Sequence, residues 1–178
     1  IDTSFYTQGY FGNLYQQNKN IGMSMYKNYI FSLSAVLKKI GININTVPVL
    51  DLLHKKKHKI ISDRSYSSNS LVVKQLGKIC IDVFKKNKIG TVVKHIPGHG
   101  RSLVDSHLKL PIIKEKYSKL KKSDFKCFKD NNSLFAMTAH ILYEKLDDQM
   151  NVTHSKKIIK EIIRKKIGFK GILISDDI

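Results

Sequence analysis

Between Lys94 and His107 the chain gathers three histidines (His95, His99 and His107), Asp105, Lys94 and two glycines within fourteen positions, directly after the apolar pair Val92-Val93. A buried core needs none of these polar groups, and a solvated loop has no reason to cluster them where an apolar run ends. Grouped at a strand end, such residues suit acid–base chemistry or ligand binding. An imidazole with a reference pKa of about 6.5 can give and take a proton near neutral pH, and a neighbouring carboxylate stabilises its charged form. Gly98 and Gly100 make the connecting segment pliable. Two other readings of the same residues stand beside this one. A His-rich surface loop would have no chemistry, and His95, His99, Asp105 and His107 are donors that zinc accepts. The chain has no His-Glu-x-x-His and no Cys pair, and a glycine-containing loop is a poor rigid template, so the expectation is no metal and no cofactor.

Elements must carry these groups. Four apolar runs, 44–50, 90–96, 134–141 and 171–175, are rich in Val, Ile, Leu or Phe and lack alternation, as strands covered on both faces do. Amphipathic stretches lie between them. Residues 21–39 precede the first run, and 71–88 place Val72, Leu76, Ile79 and Val83 on one stripe. Ile158, Ile159, Ile162, Ile163 and Ile167 form another stripe, opened near Thr153 and Ser155 and closed by Gly168. Strand and helix alternating at this spacing predict βαβ units and a parallel sheet. The strands would end at Asp51, at Lys94-His95, at His140 and at Asp176-Asp177. In a (β/α)8 barrel such ends converge on one mouth. A doubly wound sheet would place a Gly-rich phosphate loop after a strand, and none occurs. The expected fold is therefore α/β, a partial (β/α)8 TIM barrel of about four central βα units. Residues 1–178 are expected to be one stretch of a single barrel domain, incomplete at both ends.

The formal net charge is +18. A basic surface can serve nucleic acid, yet Arg64, Arg101 and Arg164 are the only arginines, and bidentate phosphate and base contacts favour Arg. The lysines are spread along the chain among Ile and Asn, so solvated faces are the expectation. A basic nucleic-acid-binding module is the non-enzyme alternative, and it would show a steep salt dependence of affinity. No apolar run approaches the roughly 20 residues of a membrane span. Cys80 and Cys127 show no Cys-x-x-Cys spacing and are expected to be free thiols of a reduced, cytoplasmic protein. His54, His58 and His154 stand among lysines or at a helix start and are expected to be solvated. His99 is expected to shape the loop turn, and His140 to support the site or sit satisfied in the core.

The run Lys94-His95-Ile96-Pro97-Gly98-His99-Gly100, with Asp105-Ser106-His107 after it, resembles the signature of the β-N-acetylhexosaminidase branch of glycoside hydrolase family 3. Val47-Pro48-Val49-Leu50-Asp51, Asp63-Arg64-Ser65-Tyr66 and Gly171–Asp176 match in order and spacing, so the resemblance covers nearly the whole chain. It implies a retaining exo-β-N-acetylglucosaminidase in which Asp176 is the nucleophile, His107 the acid/base and Asp105 its partner. Asp177 would cap or orient. Arg64, Lys94 and His95 are carried over as sugar-binding residues. The resemblance further implies GlcNAc-containing muropeptides of peptidoglycan turnover as substrates. A β-glucosidase-type or phosphorolytic member of the family is the alternative. Partners other than carbohydrate are not expected, and a monomer is.

Overall fold

The computed structural model describes residues 5–54, 61–102 and 110–176. Helix α1, Gln8–Gln17, starts on Thr7, whose hydroxyl accepts from the Tyr10 amide, and helix α2, Lys19–Lys39, starts on Asn18, whose side chain accepts from the Ile21 amide. These caps satisfy backbone donors that a helix leaves without partners. Strand β1, Ile44–Asn45, then leads to the first strand end at Asp51. Helix α3, Ser70–Lys86, is capped by Asn69 and feeds strand β2, Gly90–Ile96. An excursion follows, with strand β3, Ile112–Ile113, and the short helices α4, Tyr117–Lys122, and α5, Asp124–Cys127. Strand β4, Phe135–Thr138, and strand β5, Leu142–Tyr143, come next. A helix of π spacing, Ile158–Ile167, and strand β6, Ile172–Ile174, complete the order.

The strands β1-β2-β4-β6 form one sheet in that order, every pairing parallel, while β3 and β5 pair separately. Helices cross between consecutive strands of the main sheet, so the expected βαβ pattern and partial barrel are what the chain builds. Strand β2 is covered on both faces, with Thr91, Val92, Val93, His95 and Ile96 all buried. One apolar cluster fills the space between sheet and helices, running from Phe11 and Tyr26 through Leu76 and Phe84 to Ile163 and Phe169.

Four local readings need correction. The first strand is shorter than 44–50, because Pro48 has no N–H to give the ladder. Pairing resumes beyond it, with the Lys94 amide on Pro48 O and the Leu50 amide on Lys94 O. Strand β4 stops at Thr138: the Ala139 amide gives a last bond to Ile96 O, and the chain then turns toward β5 with the Ile141 amide on Ala139 O. The α3 stripe is partly as expected: Val72 and Leu76 are buried, but Val73, Cys80, Ile81 and Phe84 complete the core face, while Ile79 and Val83 lie partly buried at its flank. Helix α1 was not expected at all. The helix over 158–167 begins where anticipated, with Ser155 Oγ accepting from the Ile158 amide at 2.9 Å. It ends on Gly168 at φ 84°, the left-handed conformation that glycine adopts without penalty. Its final amides reach back five and six residues, from Gly168 and Phe169 to Ile163 O. No helix among the described residues is long and apolar enough to cross a membrane.

Candidate active site at the strand ends

Parallel strands end on the same side of a sheet, which brings Asp51, Lys94, His95 and Asp176 together at one mouth. Asp51 lies at its centre and is fully buried. Both of its oxygens accept from the His95 amide, at 3.3 and 3.2 Å, and Oδ1 also accepts from the His99 amide at 2.5 Å. Oδ2 lies 2.6 Å from Nδ1 of His95. Burial alone would raise the Asp51 carboxyl, but the His95 charge and hydrogen bond, and then His99, outweigh it and hold the group below the usual carboxylate range. An ionised carboxylate can only accept, so Nδ1 of His95 carries the hydrogen. That leaves Nε2 facing outward, where it stands 3.6 Å from Oδ2 of Asp176. Asp176 keeps about a fifth of its side chain open, at 19%.

Cations border this line. Arg64 and Lys94 line a cavity of about 320 Å³ together with Thr7, Gln8, Thr46 and Asp63. Gln8 fixes one wall by a paired contact, its Nε2 donating to Val49 O at 2.8 Å and its Oε1 accepting from the Val49 amide at 2.9 Å. Lys94 reaches Thr46 Oγ1 at 3.4 Å. Burial, followed by the charge of Arg64, lowers the Lys94 ammonium from its ordinary range, and Asp176 and Asp51 pull in the opposite direction. Lys94 connects the two parts, since it lines the cavity and also feels the charges of Asp176 and Asp51, and a cavity lined by cations and hydroxyls offers the directional partners that a polyhydroxylated ligand needs.

The sequence-derived residues separate accordingly. Arg64, Lys94, His95 and Asp176 are brought to one end of the sheet. Asp105 and His107 lie outside the described residues, as do Asp177 and His58. His99 sits in the turn after β2, its ring 5.4 Å from that of His95. His140 bonds through Nδ1 to Thr153 Oγ1 at 2.8 Å, and Thr153 in turn joins Thr138. His154 is exposed, as expected. His54 is not solvated: its Nε2 lies 2.7 Å from Oδ1 of the buried Asp124, and its side chain is only 23% exposed. Asp51 and Asp124 were not singled out as site residues. The one available signal for Asp51 was its place directly after an apolar run, whereas Asp124 sits in a Lys-rich stretch that reads as surface. Both cysteines are buried free thiols, and burial pushes Cys80 up to about 12. Among the described residues no group of His, Cys, Asp and Glu is arranged to hold a metal.

The chain as a whole is similar to known proteins. The chain is 34% identical to a β-hexosaminidase of Haemophilus influenzae over 160 residues, which are 88% of this chain and 45% of that protein. It is 35% identical to a β-hexosaminidase of Tolumonas auensis over 150 residues, 82% of this chain and 44% of that one. The crystal structure of native NagZ from Neisseria gonorrhoeae superposes with a TM-score of 0.89 at 28% identity, covering 97% of this chain and 51% of that chain. The same protein has been solved in complex with N-trifluoroacetyl-D-glucosamine. The chain thus spans about half the length of the curated relatives it matches. Residues 18–178 match the model of the glycosyl hydrolase family 3 N terminal domain, and the chain belongs to that family.

Proposed function

We propose that this chain is part of the catalytic barrel domain of a retaining exo-β-N-acetylglucosaminidase, with Asp176 as nucleophile, His107 as acid/base and Asp105 as its partner. The observation that carries the reading is the line Asp51–His95–Asp176, a buried carboxylate that orients an imidazole toward a partly open carboxylate whose charge is felt by Lys94. Asp176 would attack the anomeric carbon, forming a glycosyl–carboxylate ester as the bond to the leaving oxygen breaks. His107 would give that oxygen its proton, then take one from the water that releases the sugar. Arg64, Lys94 and His95 would hold ring hydroxyls and favour the ionised nucleophile. The β-hexosaminidase names of the relatives and the glucosamine derivative bound to the Neisseria protein support a terminal β-linked GlcNAc as the substrate.

On the same reading the natural substrates are muropeptides, hydrolysed in the cytoplasm by a monomer that needs no metal. The test is hydrolysis of a chromogenic β-N-acetylglucosaminide by the full-length protein, followed by mass spectrometry of protein quenched during turnover. A glycosyl adduct on the peptide containing Asp176 is expected. Turnover with no adduct and a rate unchanged in Asp176→Ala would overturn the assignment. Addition of phosphate separates hydrolysis from phosphorolysis, since only the latter yields the sugar 1-phosphate.

A further inference from the structure

The turn that follows β2 is gripped from two sides. On the mouth side the His99 amide donates to Asp51. On the other side lies a second buried carboxylate, Asp124, only 1% exposed, which the chemistry proposed above does not use. Its Oδ2 accepts from Nε of Arg101 at 2.8 Å and from Ser123 Oγ at 2.7 Å, while Oδ1 meets His54 Nε2 at 2.7 Å. Arg101 spreads its remaining donors to Glu115 Oε1 at 3.2 Å and Ser123 Oγ at 3.1 Å. Tyr143 donates to Gly98 O at 2.5 Å, so the same turn is tied to β5 as well. The packing leaves no slack. A methyl group on Gly98, at φ 143°, would stand 3.0 Å from Cβ of Asp124, and one on Gly100 would collide with the carbonyl of Leu52.

Burial by itself would raise the Asp124 carboxyl. The hydrogen bonds from His54 and Ser123 and the charges of His54 and Arg101 outweigh that and hold it below the usual range, so it is ionised at neutral pH. A guanidinium stays charged at any working pH and presents a planar fork of donors, which suits it to fixing a backbone segment. The cluster joins the end of the first strand, the excursion after β2 and strand β5 around residues 98–102, and so bears on His99, Asp51 and His95.

We propose that Asp124, acting through Arg101 and His54, is a positioning residue that fixes the turn 98–102 and thereby the aim of His95 at Asp176. The proposal rests on the assignment of Asp176 as nucleophile only for its kinetic consequence; the mechanical consequence stands without it. Rigid supports of this kind act on the chemical step when they hold reacting groups within a fraction of an ångström of their productive geometry.

The test uses the full-length protein with Asp124→Asn, Arg101→Ala and Arg101→Lys. Amide hydrogen exchange is followed in peptides covering 97–102 and 70–86, and kcat and KM are measured on a chromogenic β-N-acetylglucosaminide. In Arg101→Ala the turn should exchange about tenfold faster while α3 changes less than about threefold. Its kcat should fall about tenfold or more with KM within about threefold, and Arg101→Lys should recover part of the loss. Free guanidinium at tens of millimolar should restore kcat to Arg101→Ala and not to Asp124→Asn, whose partner carboxylate is gone. Unchanged exchange in the turn, or an equal acceleration in α3, would overturn the proposal. Should Asp124→Asn not fold, the Arg101 variants and the guanidinium arm decide the matter. If the wild-type protein fails to cleave the glycoside, the functional reading falls, and the exchange contrast still decides the positioning role.

Discussion

Asp51 and Asp124 are two buried, ionised carboxylates on opposite sides of one turn, and they are neutralised by different means. Asp51 is met by backbone amides and an imidazole, whereas Asp124 is met by a guanidinium, a hydroxyl and an imidazole. The difference matters for what each side of the turn can do. An amide dipole stabilises charge without placing a fixed cation in the mouth. Both carboxylates meet an imidazole, but only Asp124 also has a guanidinium, whose charge is permanent and whose planar fork fixes geometry. On the proposed reading, chemistry belongs on the first side and support on the second.

The strongest way to break this division is Asp176→Ala. On the proposed reading the variant loses at least about a thousandfold in kcat, because no other group can form the glycosyl-enzyme. A variant retaining more than about a tenth of the wild-type rate would move the nucleophile elsewhere. Next in size is His107→Ala, expected to lower kcat/KM by about a hundredfold on a substrate with a poor leaving group and much less on an activated aryl glycoside. An aryl leaving group departs as a stable anion and needs little proton donation. Equal losses on both substrates would mean that His107 binds or folds and is not the acid. Asp105→Ala should show the same pattern more weakly.

Stability separates the two aspartates themselves. Asp51→Ala leaves the His95 ring and two buried amides without their acceptor, and should cost about 2–4 kcal/mol in a denaturant titration. Asp124→Ala should cost less, about 1–2 kcal/mol, because Arg101 keeps Glu115 and Ser123 and is partly reached by water. The reverse ranking would contradict the comparison. Acid titration sharpens it further. Both carboxyls are held below their ordinary range in the folded protein. The unfolded chain therefore takes up protons first as pH falls. The stability they contribute is complete above about pH 4–5 and is lost as pH drops through the lower folded values. Melting temperature followed from pH 7 to pH 3 should fall steeply at the acid end, and less steeply in Asp51→Asn and in Asp124→Asn than in wild type. The smallest effect expected is that of a chelator, which should change the rate by less than about twofold, since the His95 imidazole is engaged by the Asp51 carboxylate. A loss restored by zinc would reinstate the metal reading.

How far the sequence could be read differs from element to element. Strand β2 was legible because an uninterrupted apolar run has few other fates than a strand covered on both faces. Helix α1 was not, because its sequence buries only Phe11 and Gly12 and so carries no broad apolar stripe. The first strand was over-extended because its apolar pattern runs on through Pro48, and a pattern of side chains does not register a missing backbone donor. His54 was misread because its neighbours in sequence are lysines, while its partner in space, Asp124, is 70 positions away. The same holds at the mouth, where Asp51 and His95 are 44 positions apart.

What the sequence determined by itself is local. The residue types, the caps at Asn18, Asn69 and Ser155, the stop at Gly168 and the apolar runs follow from hydrogen-bonding capacity, backbone freedom and periodicity over a few residues. Only the tertiary structure decided which carboxylate holds which imidazole. That choice depends on the register between parallel strands, on Val49 lying beside Lys94 and on Val93 beside Ala136. Register is set by the packing of the whole sheet against its helices, and a slip of one residue would turn His95 from the mouth toward the opposite face.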